Sequence, residues 1–342
     1  MFVGGDPGFG GRHRGEARHH GWGCPRDGDF NAENARRLRN DEIGRCGSFC
    51  LVDVLYMGPF SQIFETQGTK KGEPMPGWPA FAGHDMIEGS QLKTDKETPP
   101  MSNDPVLRRL DAVVDDFCRR TKFFTEPMTK GRARMFVMQH RLNTRQRNSV
   151  LKLKVATNVP DWDTRMQIIG ACSQEVIADH EHGGGKAHWE ILEELGTFIG
   201  MKRADIRAAK PIDTTQIAWA AWEGLMANRH WLEGVVANVC AERANVPGYG
   251  DGIMKKSGWF GLERVRWGKL FKLPNEKLDF FELHEEADIE HSDAGWATVA
   301  KFAKQLRMED AVVEACRKNL LVWEMYLNGI AAAGDAGERR TK

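Results

Sequence analysis

Apolar residues recur at helical spacing along most of the chain after Pro105. They stand at i, i+3, i+4 and i+7, with Gly, Pro or Asn between the runs, and no alternating series predicts strands. The pattern therefore predicts an all-α fold, a helical bundle of about eight helices. The predicted helices cover residues 106–120, 126–144, 161–182, 187–199, 214–243, 260–270, 276–305 and 309–333.

Residues 1–100 differ from the rest of the chain. They carry 17 of the 36 Gly and 8 of the 14 Pro and show no sustained helical period. We expect a flexible Gly/Pro-rich segment here, ahead of one helical domain over residues 101–342. The stretch PGWPAFAGHD resembles a repeat-derived peptide found where bacterial reading frames begin too far upstream, so Met101 is a candidate start. A small Gly-rich module is the alternative.

Charge and composition exclude several classes of partner. Lys and Arg number 48 against 48 Asp and Glu, which leaves no net charge to attract nucleic acid or a membrane surface. No apolar run approaches the length of a membrane span, and the N-terminus lacks a signal-peptide pattern. The 7 Cys are an odd, scattered set, which suits a reducing compartment. The sequence thus predicts a cytoplasmic protein with a small-molecule partner.

The strongest local signal is FELHEEADIEHSD, residues 281–293. His284, Asp288 and His291 stand there at i, i+4 and i+7, so that one helix face carries all three. Such a face can bind a metal ion. The alternative is a solvated acidic face that happens to include two histidines.

Two further segments offer ligands of the same kind. Glu181 and His188 are seven residues apart in EHGGGKAH, about two helical turns, although three glycines between them threaten the helix and leave a surface loop as the alternative. Glu242 ends the apolar run VANVCAERANVP, and a metal would explain a carboxylate in that position. It competes with a helix-end Glu paired to Arg243, and Glu223 and Glu233 are rival inward carboxylates.

Together these segments provide three imidazoles and three carboxylates. This mixture suits iron or manganese better than zinc, and six ligands can hold two ions with open positions. A ferritin-like site needs Glu-x-x-His twice, but the chain has it only at Glu16 and His19 in the N-terminal segment, and no His-Glu-x-x-His zinc motif occurs. The predicted metal ligands are Glu181, His188, Glu242, His284, Asp288 and His291.

Over residues 101–334 these motifs resemble the heme oxygenase-like diiron oxidases, a helical superfamily related to pyrroloquinoline quinone synthase and thiaminase II. Members place Glu-x6-His, a Glu, and His-x3-Asp-x2-His on three core helices. The segments DHEHGGGKAHWEILEELG, AERANVP and HEEADIEH are similar to the para-aminobenzoate synthase group of death-domain-associating proteins. The resemblance implies two Fe²⁺ ions, O₂ as co-substrate, oxidation of an amino acid, amine or carboxylic acid, and an electron donor.

One departure from that group limits the transfer of its activity. The group is thought to consume a tyrosine of its own, and a tyrosine directly before the second-helix Glu is implicated, whereas Ala241 stands there in this chain. Only Tyr56, Tyr249 and Tyr326 are available. The sequence does not identify the substrate, the reaction outcome or the donor, and it leaves a homodimer open.

The long predicted helix that bears Glu242 also offers candidate pocket residues. Trp219, Trp222, Met226 and Arg229 are the residues expected to line a substrate pocket, with core packing as their alternative role.

Two rival functions remain at this stage. A metal-free small-molecule enzyme of the quinone synthase or thiaminase II type would need no full ligand set and could use Cys172 or Cys240 as a nucleophile. A non-catalytic interaction protein would use the acidic face at residues 282–290. Heme degradation lacks an axial histidine on the first predicted helix, and His140 is a weak substitute.

Overall fold

A computed structural model describes residues 104–340 of the chain. The predicted N-terminal segment over residues 1–100 and the candidate start at Met101 lie outside the described residues. Within residues 104–340 the secondary structure is helical, with one isolated bridge between Asp179 and Lys186. The prediction of an all-α bundle is confirmed.

The helices follow one another with short connections. In chain order they are α1 (Pro105–Arg120), α2 (Lys122–Thr125), α3 (Lys130–Asn143), a π-helix (Thr144–Leu151), α4 (Lys152–Asn158), α5 (Trp162–Val176), α6 (His188–Phe198), α7 (Arg203–Ala208), α8 (Asp213–Met226), α9 (Trp231–Val239), a 3₁₀ segment (Glu242–Asn245), α10 (Gly252–Phe271), a 3₁₀ turn (Asn275–Lys277), α11 (Asp279–Leu306) and α12 (Glu309–Arg340).

Side-chain caps fix several helix starts. Asp104 accepts a hydrogen bond of 2.8 Å from the backbone N–H of Val106, with Pro105 in the first helical position. Asp161 caps α5 and accepts hydrogen bonds from the backbone N–H and the hydroxyl of Thr164, at 3.1 and 2.7 Å. These caps satisfy N–H groups that have no partner within the helix.

The observed helices differ from the predicted ones in number and in several bounds, and three of the differences affect candidate site residues or their neighbours. The helix predicted over 214–243 is divided between α8 and α9, because the chain breaks at residues 227–230 and Gly234 then packs close to the carbonyl of Met226. The helix predicted over 126–144 continues through the π-helix into α4. The helix predicted over 161–182 ends at Val176, before the glycine run.

Two long helices organise the bundle. Helix α12 packs on α1, α3, α8 and α9, and α11 packs on α9, α10 and the 3₁₀ segment Glu242–Asn245. Among the residues described, no helix combines the length and apolarity that a membrane crossing requires. The packing leaves the polar face of α11 in the interior, opposite the end of α5 and the start of α6.

Candidate metal centre

Six side chains with metal-binding atoms form two groups inside the bundle. The first ligand group is Glu175, His188 and His284, and all three are buried. The second ligand group is Glu242, Asp288 and His291. Within each group, one ligand atom from every residue lies within 4.8 Å of the others. Both groups contain carboxylate and imidazole ligands, which iron and manganese accept.

Helix α11 contributes to both groups. His284 belongs to the first ligand group, whereas Asp288 and His291, four and seven residues later, belong to the second. The remaining ligands lie at the ends of other helices. Glu175 is the penultimate residue of α5, His188 is the first residue of α6, and Glu242 opens the 3₁₀ segment.

Glu181 lies outside both groups, unlike the other five predicted ligands. Its side chain is exposed, and Oε2 accepts a hydrogen bond of 2.9 Å from Nε2 of Gln174. Because α5 ends at Val176 and Gly184 and Gly185 take positive φ values of 59° and 83°, Glu181 and His188 do not share a helix. The prediction that Glu181 and His188 lie two turns apart on one helix face is therefore wrong.

Glu175 occupies the place expected for Glu181, and sequence analysis missed it. The buried face of α5 runs through Thr164, Ile168, Cys172 and Glu175. This helical spacing is the signal that could have identified the carboxylate, since a charged residue on an apolar stripe needs a partner in the interior.

A second contact on each histidine holds its ring in place. Nε2 of His188 lies 2.9 Å from Oδ2 of Asp179 while Nδ1 lies 3.1 Å from Oε2 of Glu175. Nδ1 of His284 donates to the carbonyl of Phe280 at 2.7 Å, which leaves Nε2 free for a metal.

One ring nitrogen of His291 is also held by a neighbouring group. Its Nε2 donates to the amide oxygen of Gln174 at 3.1 Å, and its Nδ1 is buried without a hydrogen-bond partner among the residues described. Nδ1 of His188 is also buried with no well-aligned hydrogen bond. Orphaned nitrogens that face carboxylates are what a metal site requires, so the residues fit iron or manganese.

Asp179 shapes the loop between α5 and α6, although sequence analysis did not identify it. The buried carboxylate accepts hydrogen bonds of 2.9 Å from the backbone N–H groups of both Glu181 and His182, in addition to its contact with His188. Burial would raise its pKa, but these hydrogen bonds lower the pKa to about 2. Asp179 therefore keeps its charge and orients His188.

Asp288 is held by a neighbouring amide. Nδ2 of Asn245 donates to Oδ2 of Asp288 at 2.6 Å, while Oδ1 of Asn245 accepts from the backbone N–H of Phe260 at 3.0 Å. Burial and the charge of Glu242 raise the pKa of Asp288 well above its usual value. A metal ion would reverse this preference by stabilising the carboxylate.

Lys152 reaches between the two ligand groups. Its Nζ lies 2.7 Å from Oε1 of Glu242 and 3.7 Å from Oε1 of Glu175, and its side chain is only 1% exposed. Burial would lower its pKa, but the two carboxylates outweigh burial and raise it. Glu242 is thus paired with Lys152, while Arg243, its expected partner, pairs with Asp293.

Proton positions in the first ligand group follow from the same charges. Burial lowers the pKa of His284 to about 3, and the charge of His188 adds to this effect. Burial would also lower the pKa of His188, but Glu175 and Asp179 outweigh it and raise the value. Burial would raise the pKa of Glu175, yet the charges of His188 and Lys152 hold it well below its usual range. Metal binding here would therefore displace a proton from His188.

Comparison with known proteins agrees with this geometry. Residues 156–324 match the family model described as iron-containing redox enzyme, and this range includes all six residues of the two ligand groups. The predicted resemblance to the heme oxygenase-like superfamily is confirmed. The matches support an oxidoreductase of this superfamily.

Two similar proteins illustrate the relationship. The chain is 27% identical over 164 residues to 4-aminobenzoate synthase from Nitrosomonas europaea, an alignment that covers 46% of this chain and 61% of that relative. It therefore spans less than two thirds of the relative's length. A crystal structure of a domain of unknown function with a heme oxygenase-like fold, from Shewanella denitrificans, superposes with a TM-score of 0.50 at 17% identity, covering 66% of this chain and 90% of that one.

Two cavities adjoin the ligand groups within this heme oxygenase-like fold. A small one of about 40 Å³ is lined by His140, Arg147, Glu175, Glu242 and His284, among others. A larger one of about 410 Å³ reaches Lys152, Glu181, Glu242 and His291. Glu242 lines both cavities.

The residues expected to line a substrate pocket do not line either cavity. Trp222 and Met226 are buried in the core, and Trp222 packs on Trp323 and Tyr326. Trp219 donates to the amide oxygen of Asn143 at 3.0 Å, and Arg229 is exposed in the break between α8 and α9. The break in the predicted long helix explains the difference, because Trp219, Trp222 and Met226 lie on α8, whereas Glu242 follows α9.

The residues considered for rival chemistries, Cys172, Cys240 and His140, are buried. Cys172 is buried, and burial raises the pKa of its thiol to about 11. Cys240 is buried, and its Sγ accepts a hydrogen bond from Nδ2 of Asn319 at 2.8 Å. His140 stacks on Phe136 beside a cavity with room for only a few water-sized groups, which cannot hold heme.

Proposed function

We propose that this protein is an iron-dependent oxidoreductase that uses a two-iron centre to activate O₂ and oxidise a small organic substrate. The observation that carries the proposal is the meeting of two ligand groups in the interior. Each group has at least one histidine and one carboxylate, and each histidine ring is held by a second contact. The match of residues 156–324 to iron-containing redox enzymes supports iron as the metal. Manganese is the alternative ion for the same ligands.

The two ligand groups indicate which residues would hold each ion. Glu175, His188 and His284 would hold one ion, and Glu242, Asp288 and His291 the other. Bound iron would supply the redox chemistry and the binding site for O₂.

The chain's own residues orient these ligands and restrict water. Asp179 and Gln174 fix the rings of His188 and His291, and Asn245 fixes the carboxylate of Asp288. Five of the six ligands have side chains that are buried or nearly so, which limits the entry of water and keeps the orienting hydrogen bonds strong.

The larger cavity is the expected route for a small substrate. Its volume of about 410 Å³ suits an amino acid, an amine or a short carboxylic acid, and Glu242 and His291 form part of its wall. We also expect an external electron donor. Full reduction of O₂ to water takes four electrons, and a two-electron oxidation of the substrate supplies only two of them.

A route to aminobenzoate from a tyrosine of this chain is not supported. Tyr249 donates to Asp111 at 2.6 Å, Tyr326 is buried against Trp222 and Trp323, and neither lines the two cavities. Tyr56 lies outside the described residues. We therefore extend to this chain the iron-dependent chemistry class of its relatives, and not the product named for one of them.

A matched pair of substitutions tests the ligand assignment. Glu175→Gln should lower the amount of Fe²⁺ bound under anaerobic conditions, whereas Glu181→Gln should bind iron as the wild type does, because Glu181 lies outside both groups. His284→Ala should lose iron while the helical circular-dichroism spectrum is kept. Iron content and O₂ consumption by the reduced protein are the measurements.

The proposal fails if wild-type protein binds less than one iron per chain, or if reduced, iron-loaded protein does not consume O₂. Reversed results for the Glu175 and Glu181 variants would retain the iron centre and move one ligand to Glu181.

A metal-free small-molecule enzyme is the second candidate. One observation favours it, because the ammonium group of Lys152 already compensates Glu242 and Glu175 without any ion. In that case His284→Ala should leave small-molecule binding unchanged, and added iron should not alter thermal stability.

A further inference from the structure

The π-helix turns polar side chains into the bundle. Thr144, Arg147 and Asn148 are all buried, and all three line the small cavity of about 40 Å³ next to Glu242 and His284. π-Helices are rare overall but common at functional sites, and this one places a buried guanidinium group at the wall of the cavity.

Arg147 lacks an anionic partner. Its Nη2 donates to the carbonyls of Ala237 and Asn238, both at 3.0 Å, and its Cζ lies 5.6 Å from the ring centre of Trp222 and 5.2 Å from that of Trp323. The ion pairs found among residues 104–340 do not include Arg147, and its Nε is buried without a hydrogen-bond partner there.

These contacts account for only part of the guanidinium group. The two carbonyls are at the C-terminal end of α9, so Arg147 also caps that helix. A capping role requires one nitrogen, and it does not explain why a charged group that is only 3% exposed lines a cavity with an unused donor.

We propose that Arg147 binds the carboxylate group of the substrate in the small cavity, beside the two ligand groups. This inference rests on the proposed function and narrows the substrate class to carboxylic acids and amino acids. The cavity of about 40 Å³ accommodates a carboxylate head group. Trp259 and Phe260 form the adjoining apolar wall.

The balance of charge favours an anion at this point. Without metal, the charges of Glu175 and Glu242 lie near Arg147 and raise its pKa, although burial has the larger effect and lowers it. Once those carboxylates bind divalent ions, their charge is shared with the metal and Arg147 has no anion of its own. A planar carboxylate matches the geometry of its free donors.

Acetate and acetamide are the matched probes for this site. They have similar size, but only acetate is anionic. Binding of ¹³C-labelled acetate is measured by NMR line broadening in the metal-free protein and, separately, after anaerobic loading with Fe²⁺. Thermal unfolding of each variant shows whether the fold is kept.

Four variants separate charge from structure. Arg147→Met removes the charge, Arg147→Gln keeps an N–H donor for the carbonyls of α9, and Arg147→Lys keeps the charge. Arg145→Met is the control, because Arg145 is exposed on the same π-helix and lies over Trp189. We expect acetate affinity to fall at least about tenfold in the Met and Gln variants, to fall less in the Lys variant, and to stay unchanged in the control.

Three results overturn the inference: no saturable acetate binding by the wild type in either form, equal binding of acetate and acetamide, or equal acetate affinity in wild type and the Gln variant. The Gln and Lys variants keep the test valid if the Met variant does not fold. Iron content is measured in parallel. Failure of wild-type iron loading would refute the proposed function. Arginine-dependent acetate binding to the metal-free protein would still support the role of Arg147.

Discussion

Replacing Lys152 with methionine should destabilise the metal-free protein and leave the metal-loaded protein much less affected. The ammonium group lies 2.7 Å from Glu242 and 3.7 Å from Glu175, so its removal leaves two buried negative charges without their cation. A metal ion bound by the same carboxylates replaces the missing charge. The substitution therefore tests whether the two ligand groups hold a metal.

The expected size of the effect follows from burial. Breaking a buried ion pair by removing one partner costs about 3 to 5 kcal/mol, and we expect the lower end because the Glu242 side chain is 12% exposed. A ligand present at about one hundred times its dissociation constant stabilises the folded state by about 2.7 kcal/mol. Metal at that concentration should thus recover most of the loss.

Urea unfolding with and without Mn²⁺ measures both effects, since Mn²⁺ binds similar ligands and is not readily oxidised by air. Lys154→Met is the matched control two residues along α4. Lys154 pairs with the exposed Glu223, and such a pair contributes at most about 1 kcal/mol. Two results would contradict a metal-binding role for these carboxylates: a Lys152 variant as stable as the wild type without metal, or Mn²⁺ that stabilises the wild type but not the variant.

Three further predictions concern the surroundings of the centre. Gly258→Ala should be strongly destabilising and should weaken iron binding, because Gly258 has φ 71° and a Cβ there would lie 1.9 Å from the carbonyl oxygen of Asn245. Gly224→Ala is the control. Its surroundings are open, so it should stabilise α8 by about 0.5 to 1 kcal/mol in thermal unfolding. Burial raises the pKa of Glu263 to about 7, so the folded state retains a proton that the unfolded state releases. The stability contributed by Glu263 should therefore fall as pH rises from about 4.5 to 7, and the stability of the wild type relative to Glu263→Gln should decrease over this range. Asp179→Asn should lower iron affinity about 10- to 100-fold in equilibrium titration, since a neutral amide orients the neighbouring histidine less strongly; unchanged affinity would contradict that role.

The sequence predicts the part of the centre that depends on one regular helix. His284, Asp288 and His291 follow helical spacing, and α11 is continuous over all three, so their common face could be read directly. Helical spacing also predicts the bundle and, to within one residue, the starts of α1, α5, α6, α8 and α12. These features depend on local periodicity, which a single sequence contains.

The positions of Glu175, His188 and Glu242 depend on where helices start and end, and a single sequence predicts helix ends poorly. The glycine run predicted a helix end at residue 182, after Glu181, but nothing in the sequence placed that end at Val176, where Glu175 is the inward carboxylate. The π-helix was missed because its polar residues lack an apolar stripe. The pairing of Lys152 with Glu242 joins residues 90 positions apart, and only the folded chain brings them together.

The continuity of α11 determines which half of the centre can adjust. Three ligands lie on this one helix, with Asp288 and His291 four and seven residues after His284. One inserted residue between His284 and Asp288 would therefore rotate Asp288 and His291 by about 100° relative to His284. Glu175, His188 and Glu242 sit instead where helices start or stop, and backbone torsions change there at little cost. If the two ligand groups bind two ions as proposed, a change in the distance between the ions would be accommodated by Glu175, His188 and Glu242 and not by α11.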